Sequence, residues 1–81
     1  MTRYRLVTAQ NTTGWAQHVS SVVLNQDEAA EQLDAEARMH ELCGWTVTRG
    51  SDVIVCRRHH VIRSVSVKAT DAMHDEREAR R

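Results

Sequence analysis

The segment from Asn25 to Gly44 constrains the fold more than any other part of this 81-residue chain. Asn25 predicts a helix N-cap, and Glu28 stands three residues later, where the acid of a capping box belongs. Gly44 is typical of the position just past a helix end. We therefore predict one helix from Gln26 to about Cys43. Its apolar stripe comprises Ala30, Leu33 and Ala37 with either His40 or Glu41, and it is widened by Ala29, Met39 and Leu42.

Alternating, valine-rich segments on both sides of this helix predict strands. The predicted strands cover residues 3–9, 15–24, 45–48, 53–56 and 61–67. The short turns between them favour antiparallel pairing. The predicted fold class is α+β, in the order β-β-α-β-β-β, with the helix packed on one face of an antiparallel sheet. The other face is then open to water, to a second subunit or to a ligand.

The length of the chain fits one domain and not two. Residues 1–69 predict a single α+β domain, and residues 70–81 predict a charged tail that is either a short helix or disordered. The core must be built from aliphatic side chains and tryptophan, because the chain has no phenylalanine. A core so poor in large side chains favours support from a second subunit or a metal.

Charge is divided between helix and strands, although the formal net charge is zero. Residues 25–43 contain six acidic residues and one basic residue, whereas residues 44–69 contain five basic residues and one acidic residue. Because the net charge is zero, the charge of the whole chain argues neither for a nucleic-acid partner nor for a membrane partner. The local division favours contact of the helix with a basic protein surface, or a head-to-tail match with the basic sheet of a second copy.

No apolar run approaches the roughly 18 residues that a membrane-spanning helix needs. The first residues enter an alternating strand pattern and lack the apolar segment of a signal peptide. We therefore predict a cytoplasmic protein with no membrane partner. In that compartment two cysteines are more often free thiols or metal ligands than a disulfide.

One motif in the sequence has the spacing of zinc ligands. It is His40-x2-Cys43-x12-Cys56-x2-His59, with His60 as an alternate ligand. The predicted hairpin pairs Trp45 near Cys56, which brings Cys43 to the same open end. His40 lies one helical turn before Cys43 and on the same side. The competing interpretation makes the cysteines small core residues and the histidines solvated turn residues. The sequence therefore predicts either no cofactor or, if these four residues act as ligands, a zinc ion.

Four arginines predict contact with the phosphates of a nucleic acid: Arg49, Arg57, Arg58 and Arg63. Basic side chains beside a stacking aromatic such as Trp45 can hold a single strand. The competing interpretation is a solvated turn at 57–60 that carries ordinary surface charge. The acidic helix also opposes binding of a long duplex on its side.

The two tryptophans, Trp15 and Trp45, each open a predicted strand. Core packing is one role for them, and an exposed tryptophan on the uncovered face of the sheet would instead mark an interface. Catalytic patterns are absent from the sequence, because no nucleophile elbow or P-loop surrounds the serines. The sequence therefore predicts that the protein is not an enzyme.

The stretch from Ala35 to Trp45, followed by Asp52 and then Cys56-x-x-His59, resembles a pattern in small uncharacterised proteins of actinobacteria and their phages. In those proteins an alanine-rich helix runs into Gly-Trp, and a short hairpin ends in Asp-x-Cys-Pro-x-His. The similar region covers about a third of this chain, which has no proline after Cys56. The resemblance implies a phage or actinobacterial accessory protein and implies no activity.

Taken together, these features predict a small non-enzymatic binding or regulatory protein that acts through protein–protein contact as a homo-oligomer. Two alternatives stay open. One is a nucleic-acid-binding module that uses the basic sheet and the 57–60 turn, and the other is a zinc-stabilised adaptor.

Overall fold

A computed structural model describes residues 2–70, so the predicted tail lies outside the described residues from position 71 onward. The elements in chain order are β1 Tyr4–Gln10, a 3-10 turn Asn11–Thr13, β2 Gln17–Val19, α1 Gln26–Leu42, β3 Thr46–Arg49, β4 Val53–Arg58 and β5 Val61–Ala69. The strands form one sheet in the order β2-β1-β5-β4-β3, and every neighbouring pair is antiparallel. The predicted α+β class and element order are confirmed.

The helix α1 begins at the predicted residue and ends within one residue of the predicted end. The side chain of Asn25 accepts a hydrogen bond from the backbone N–H of Glu28 at 2.8 Å, and the Glu28 carboxylate accepts from the Asn25 N–H at 3.1 Å. Gly44 has a φ of 89°, a left-handed conformation that strains any residue with a side chain. The next N–H, of Trp45, donates to the carbonyl of His40 and closes the helix end.

The core lies between α1 and one face of the sheet, and it comprises Leu6, Leu33, Ala37, Ile54, Cys56 and Val65. The buried residues of α1 are Ala29, Leu33, Ala37 and His40. The prediction was wrong for Met39 and Leu42, which are 50% and 90% exposed, and Ala30 is also exposed. A helix that lies on a single sheet buries only one narrow face, so residues at the sides of the stripe remain in water.

The second strand is much shorter than the predicted 15–24, because β2 has only three residues and the chain then leaves the ladder. It returns for a single bridge between Leu24 and Tyr4. The cause lies at Ser20, whose hydroxyl donates to the carbonyl of Val22 at 3.2 Å. Such a local side-chain bond turns the backbone away from regular pairing.

The β3–β4 hairpin is shifted by two residues from the predicted register. Cys56 pairs with Val47, whereas the prediction placed Trp45 near it. Strand β3 ends at Arg49 and β4 begins at Val53, so the turn holds the three residues 50–52. A shift of two residues keeps every side chain on its predicted face, since side chains in a strand alternate with period two.

The face of the sheet that points away from α1 is called the open face here. Residues on it alternate with the core residues of each strand. No helix longer than one turn other than α1 occurs in residues 2–70, and α1 packs on the opposite face. The open face consists of Arg5, Val7, Ala9, Gln17, Val19, Thr46, Thr48, Val53, Val55, Arg57, Ile62, Ser64, Ser66 and Lys68, of which Val7 is buried, at 3% exposure.

We expect Asn25→Ala to lower the free energy of unfolding by about 1 kcal/mol, because the N–H of Glu28 loses its acceptor. Asn25→Asp retains an acceptor oxygen and is the matched control, with an expected change within about 0.5 kcal/mol. Urea denaturation followed by circular dichroism measures both. Equal stability of the two variants would show that the capping box contributes nothing.

Candidate functional site

His40 is the buried polar residue at the C-terminal end of α1, and both of its ring nitrogens have partners. Nδ1 lies 2.6 Å from the backbone oxygen of Glu36, and Nε2 lies 3.0 Å from Nη1 of Arg63. A guanidinium can only donate hydrogen bonds, so Nε2 accepts and Nδ1 carries the proton. The geometry therefore fits the neutral Nδ1–H tautomer, whose single lone pair is occupied by Arg63.

Arg63 is half-buried and is held by uncharged groups, which together are called the Arg63 cluster: Arg63, His40, Trp45 and Gln10. Its Cζ lies 4.7 Å from the centroid of the Trp45 ring, and its Nε donates to Oε1 of Gln10 at 2.8 Å. The rings of Trp45 and His40 meet edge to face at 5.3 Å. Within residues 2–70 Arg63 forms no ion pair. The cation is thus stabilised by a π face and by two side-chain acceptors.

The two cysteines lie in different environments, and both are free thiols. Cys56 is fully buried in the core and pairs with Arg63 across β4 and β5. Burial raises the pKa of the Cys56 thiol, although the nearby Arg63 guanidinium acts in the opposite direction. A buried thiol with a raised pKa is a poor nucleophile and a poor metal ligand. Cys43 is exposed at the end of α1.

The structure does not bring the predicted zinc ligands together. In the part of the chain that is described, no group of three or more His, Cys, Asp or Glu side chains could hold a metal ion. His40 is engaged in the Arg63 cluster and Cys56 packs in the core. His59 is exposed in the β4–β5 turn with a φ of 55°. The observed packing matches the competing interpretation for Cys56, which lies in the core, but not for Cys43, which is exposed.

The four arginines that predicted nucleic-acid contact do not form one surface. Arg49 forms ion pairs with Asp34 at 2.5 Å and with Glu41 at 2.7 Å. These hydrogen bonds, that of Asp34 first, raise the pKa of Arg49 above its ordinary value. Its charge is therefore matched within the chain, on the side of the helix.

The other three arginines point to different surroundings. Arg58 donates to the backbone oxygen of Cys43 at 3.2 Å and ties β4 to the end of α1. Arg63 belongs to the cluster described above. Arg57 is exposed on the open face and forms no ion pair within residues 2–70. It is the one predicted contact residue that the structure places on the uncovered surface of the sheet.

The tryptophans also differ in their roles. Trp45 is half-buried on the helix side and packs against the core cluster, as the core-packing interpretation predicted. Trp15 is 50% exposed and follows the 3-10 turn, with a φ of 65°. Neither is among the residues of the open face. Exposure alone does not show that Trp15 lies in an interface, so that role stays a prediction.

Two basic residues of the open face were missed by the sequence reasoning. Arg5 and Lys68 are directly opposite each other in the β1–β5 ladder. With Arg57 they give the open face three basic residues and no Asp or Glu. The signal was present in the sequence, because the alternation of β1 and β5 places both residues opposite the core face.

The outer side of α1 carries the opposite charge near its N-terminus. Asp27 and Glu31 are exposed and are four residues apart, so they lie on the same side of the helix. Neither forms an ion pair with a described residue. The molecule therefore presents an acidic patch on the helix side and a basic patch on the open face.

Comparison of the chain with protein-family models, with curated proteins and with solved structures finds no match. In the described part of the chain no helix is long and apolar enough to cross a membrane. The fold and the sites define a small α+β protein with one antiparallel sheet. The resemblance to actinobacterial and phage proteins stays a prediction.

We expect Arg63→Lys to lower the free energy of unfolding by about 1–2 kcal/mol, because an ammonium loses the stacking on Trp45 and the fork that reaches His40 and Gln10. Arg57→Lys on the open face is the matched control, with an expected change within about 0.5 kcal/mol. Urea denaturation measures both. Equal effects of the two substitutions would show that the Arg63 cluster does not stabilise the fold.

We expect a thiol-specific reagent to modify Cys43 rapidly and Cys56 only when the protein unfolds, because Cys56 is buried and its pKa is raised. Mass spectrometry of the labelled protein over time measures the two rates. In Cys43→Ser the rapid phase should vanish, whereas Cys56→Ala should retain it. A rapid reaction of Cys56 in the folded protein would contradict the assigned burial.

Proposed function

We propose that this protein is a small non-enzymatic binding protein that acts by protein–protein contact, and that its first partner is a second copy of itself. In the contact, the basic patch of the open face, Arg5 and Lys68, meets the acidic patch of α1, Asp27 and Glu31, of the other copy. The observation that carries the proposal is the match in charge and spacing between these two pairs.

Each patch is a pair of like charges that lacks a partner of opposite charge in the described residues. Like charges directly across two strands destabilise a sheet, which applies to Arg5 and Lys68. Like charges four residues apart destabilise a helix in the same way, which applies to Asp27 and Glu31. Contact between the two patches relieves both repulsions at once.

The spacings of the two pairs agree. Cross-strand neighbours have Cβ atoms about 4.5–5.5 Å apart, and helix residues at i and i+4 have Cβ atoms about 5–6 Å apart. Two parallel ion pairs can therefore form without rearrangement of either backbone. Apolar side chains on the open face supply contact area beside them, since Val19 is 40% exposed and Val53, Val55 and Ile62 are half-buried.

The position of the patches sets the type of assembly. One patch lies on the outer side of α1 and the other on the opposite face of the sheet, so the contact joins different surfaces. Such heterologous contacts give rings or open chains rather than a symmetric dimer. A symmetric contact between two open faces would instead bring Arg5 and Lys68 of both copies together, which like-charge repulsion disfavours.

The chemical groups of the fold support a role without catalysis. The ring nitrogens of His40 are occupied, and the thiol of Cys56 is buried and neutral. Catalysis requires reactive groups in complementary roles that converge in one cleft. Neither the His40 ring nor the Cys56 thiol is therefore free to act as a base or a nucleophile. Binding of nucleic acid to the open face is the alternative that the same experiment must separate.

We expect the protein to form assemblies larger than a monomer at low salt and micromolar to millimolar concentration. In about 1 M salt, where the screening length is about 3 Å, it should become a monomer. Sedimentation velocity measures the distribution. A monomer at every concentration in low salt would overturn the proposal. A monomer that binds random single-stranded DNA with a steep salt dependence would support the nucleic-acid alternative instead.

Charge reversal tests the pairing of the patches. Lys68→Glu and Glu31→Lys should each abolish assembly alone, because each replaces one of the two ion pairs with a contact between like charges and leaves the changed patch with no net charge. A mixture of the two variants should assemble again, since the intact helix of one meets the intact open face of the other. Asp52→Lys, in the β3–β4 turn, is the control with the same charge change as Glu31→Lys and should assemble like the parent. A mixture that stays monomeric would show that these patches do not meet.

A further inference from the structure

The helix leaves part of the sheet uncovered on its own side, next to β2. It packs against β1, β3, β4 and β5, and a cleft of about 330 Å³ lies between it, the β1–β2 hairpin and the segment that follows β2. The buried side chains of Leu6 and Val65 line the cleft. The polar side chains that line it are those of Thr8, His18, Ser20, Gln32 and Glu36. The cleft shares no lining residue with the patches proposed for self-association, although Arg5 donates to the backbone oxygen of Ser20, which lines the cleft, at 3.2 Å.

Glu36 supplies the charge of this cleft. Its side chain is only 29% exposed, and within residues 2–70 no Lys or Arg forms an ion pair with it. The nearest basic group is Nδ1 of His40, 3.8 Å from the carboxylate. That nitrogen donates its proton to the Glu36 backbone oxygen, and the ring is neutral in the tautomer fixed by Arg63. A largely covered carboxylate without a cation favours a cation from outside.

We propose that this cleft binds a primary alkylammonium group with a short aliphatic chain. An ammonium has three N–H donors. The cleft offers oxygen acceptors on Glu36, Gln32 and Thr8, and no described hydrogen bond uses the side chains of Gln32 and Thr8. The aliphatic chain would lie against Leu6 and Val65. The cleft volume is at the small end of ligand sites, which suits a chain of about five carbons.

The same chemistry occurs in a free amine and in the side chain of lysine, and two probes distinguish them. Pentylammonium represents the free amine, and lysine blocked at both backbone ends represents a lysyl side chain. The open rim of the cleft at the exposed Val22 leaves room for the backbone of a blocked lysine. Saturable binding of either probe supports the site, and the tighter one identifies the source.

The experiment is a titration followed by two-dimensional amide NMR of the full chain, with pentylammonium chloride against 1-pentanol at equal ionic strength. We expect saturating shifts at the amides of Leu6, Thr8, Gln32 and Glu36, with a dissociation constant in the millimolar range for so small a ligand. Pentanol has the same chain without the charge and should bind at least tenfold more weakly. Equal binding of pentanol would overturn the role of the charge.

Glu36→Gln removes the charge and keeps the shape, and it should weaken pentylammonium binding at least tenfold. Glu41→Gln, on the same helix but outside the cleft, is the matched control and should bind like the parent. The NMR spectrum of each variant shows directly whether the fold is intact. Linear shifts without saturation in the parent, or unchanged affinity in Glu36→Gln, would overturn the proposal.

Discussion

The path of the chain from one edge of the sheet to the other is the constraint on which the structure depends. The first and last strands pair with each other in the sheet, so β2 and β3 become its two edges. Their connection must cross four strand spacings, about 19 Å, and a helix of 17 residues spans about 25 Å. A single crossing helix can cover one face only. The open face and the cleft beside β2 both follow from this path.

Local signals in the sequence predicted the helix and the faces of the strands. The pairing of strands that are far apart in the sequence could not be predicted in this way. The capping box at Asn25 and the left-handed Gly44 depend on a few neighbouring residues, so the helix ends could be predicted. The pairing of β1 with β5 joins residues about 60 positions apart and leaves no local mark. The early end of β2 depends on the hydroxyl of Ser20, which a valine-rich pattern does not reveal.

The zinc spacing shows that a ligand motif can be interpreted only when the pairing of the strands and the face of each side chain are known. Cys56 follows Cys43 at the spacing of a zinc motif in the sequence, but alternation along β4 places its side chain in the core. His40 stands on the predicted face of the helix, and there it meets Arg63, which the sequence predicts as a phosphate contact. The contact between them could not be predicted, because it requires both the helix position and the β4–β5 ladder.

His40 also explains why the cleft retains an unpaired carboxylate. Arg63 approaches its ring at Nε2, and the Glu36 carboxylate lies near Nδ1 on the other side. The neutral ring thus stands between a guanidinium and a carboxylate that would otherwise attract each other in a half-buried place. Both charges act on the pKa of the Cys56 thiol, in opposite directions, so they share the same neighbourhood. Because Arg63 is held by His40, Trp45 and Gln10, the charge of Glu36 stays directed to the cleft.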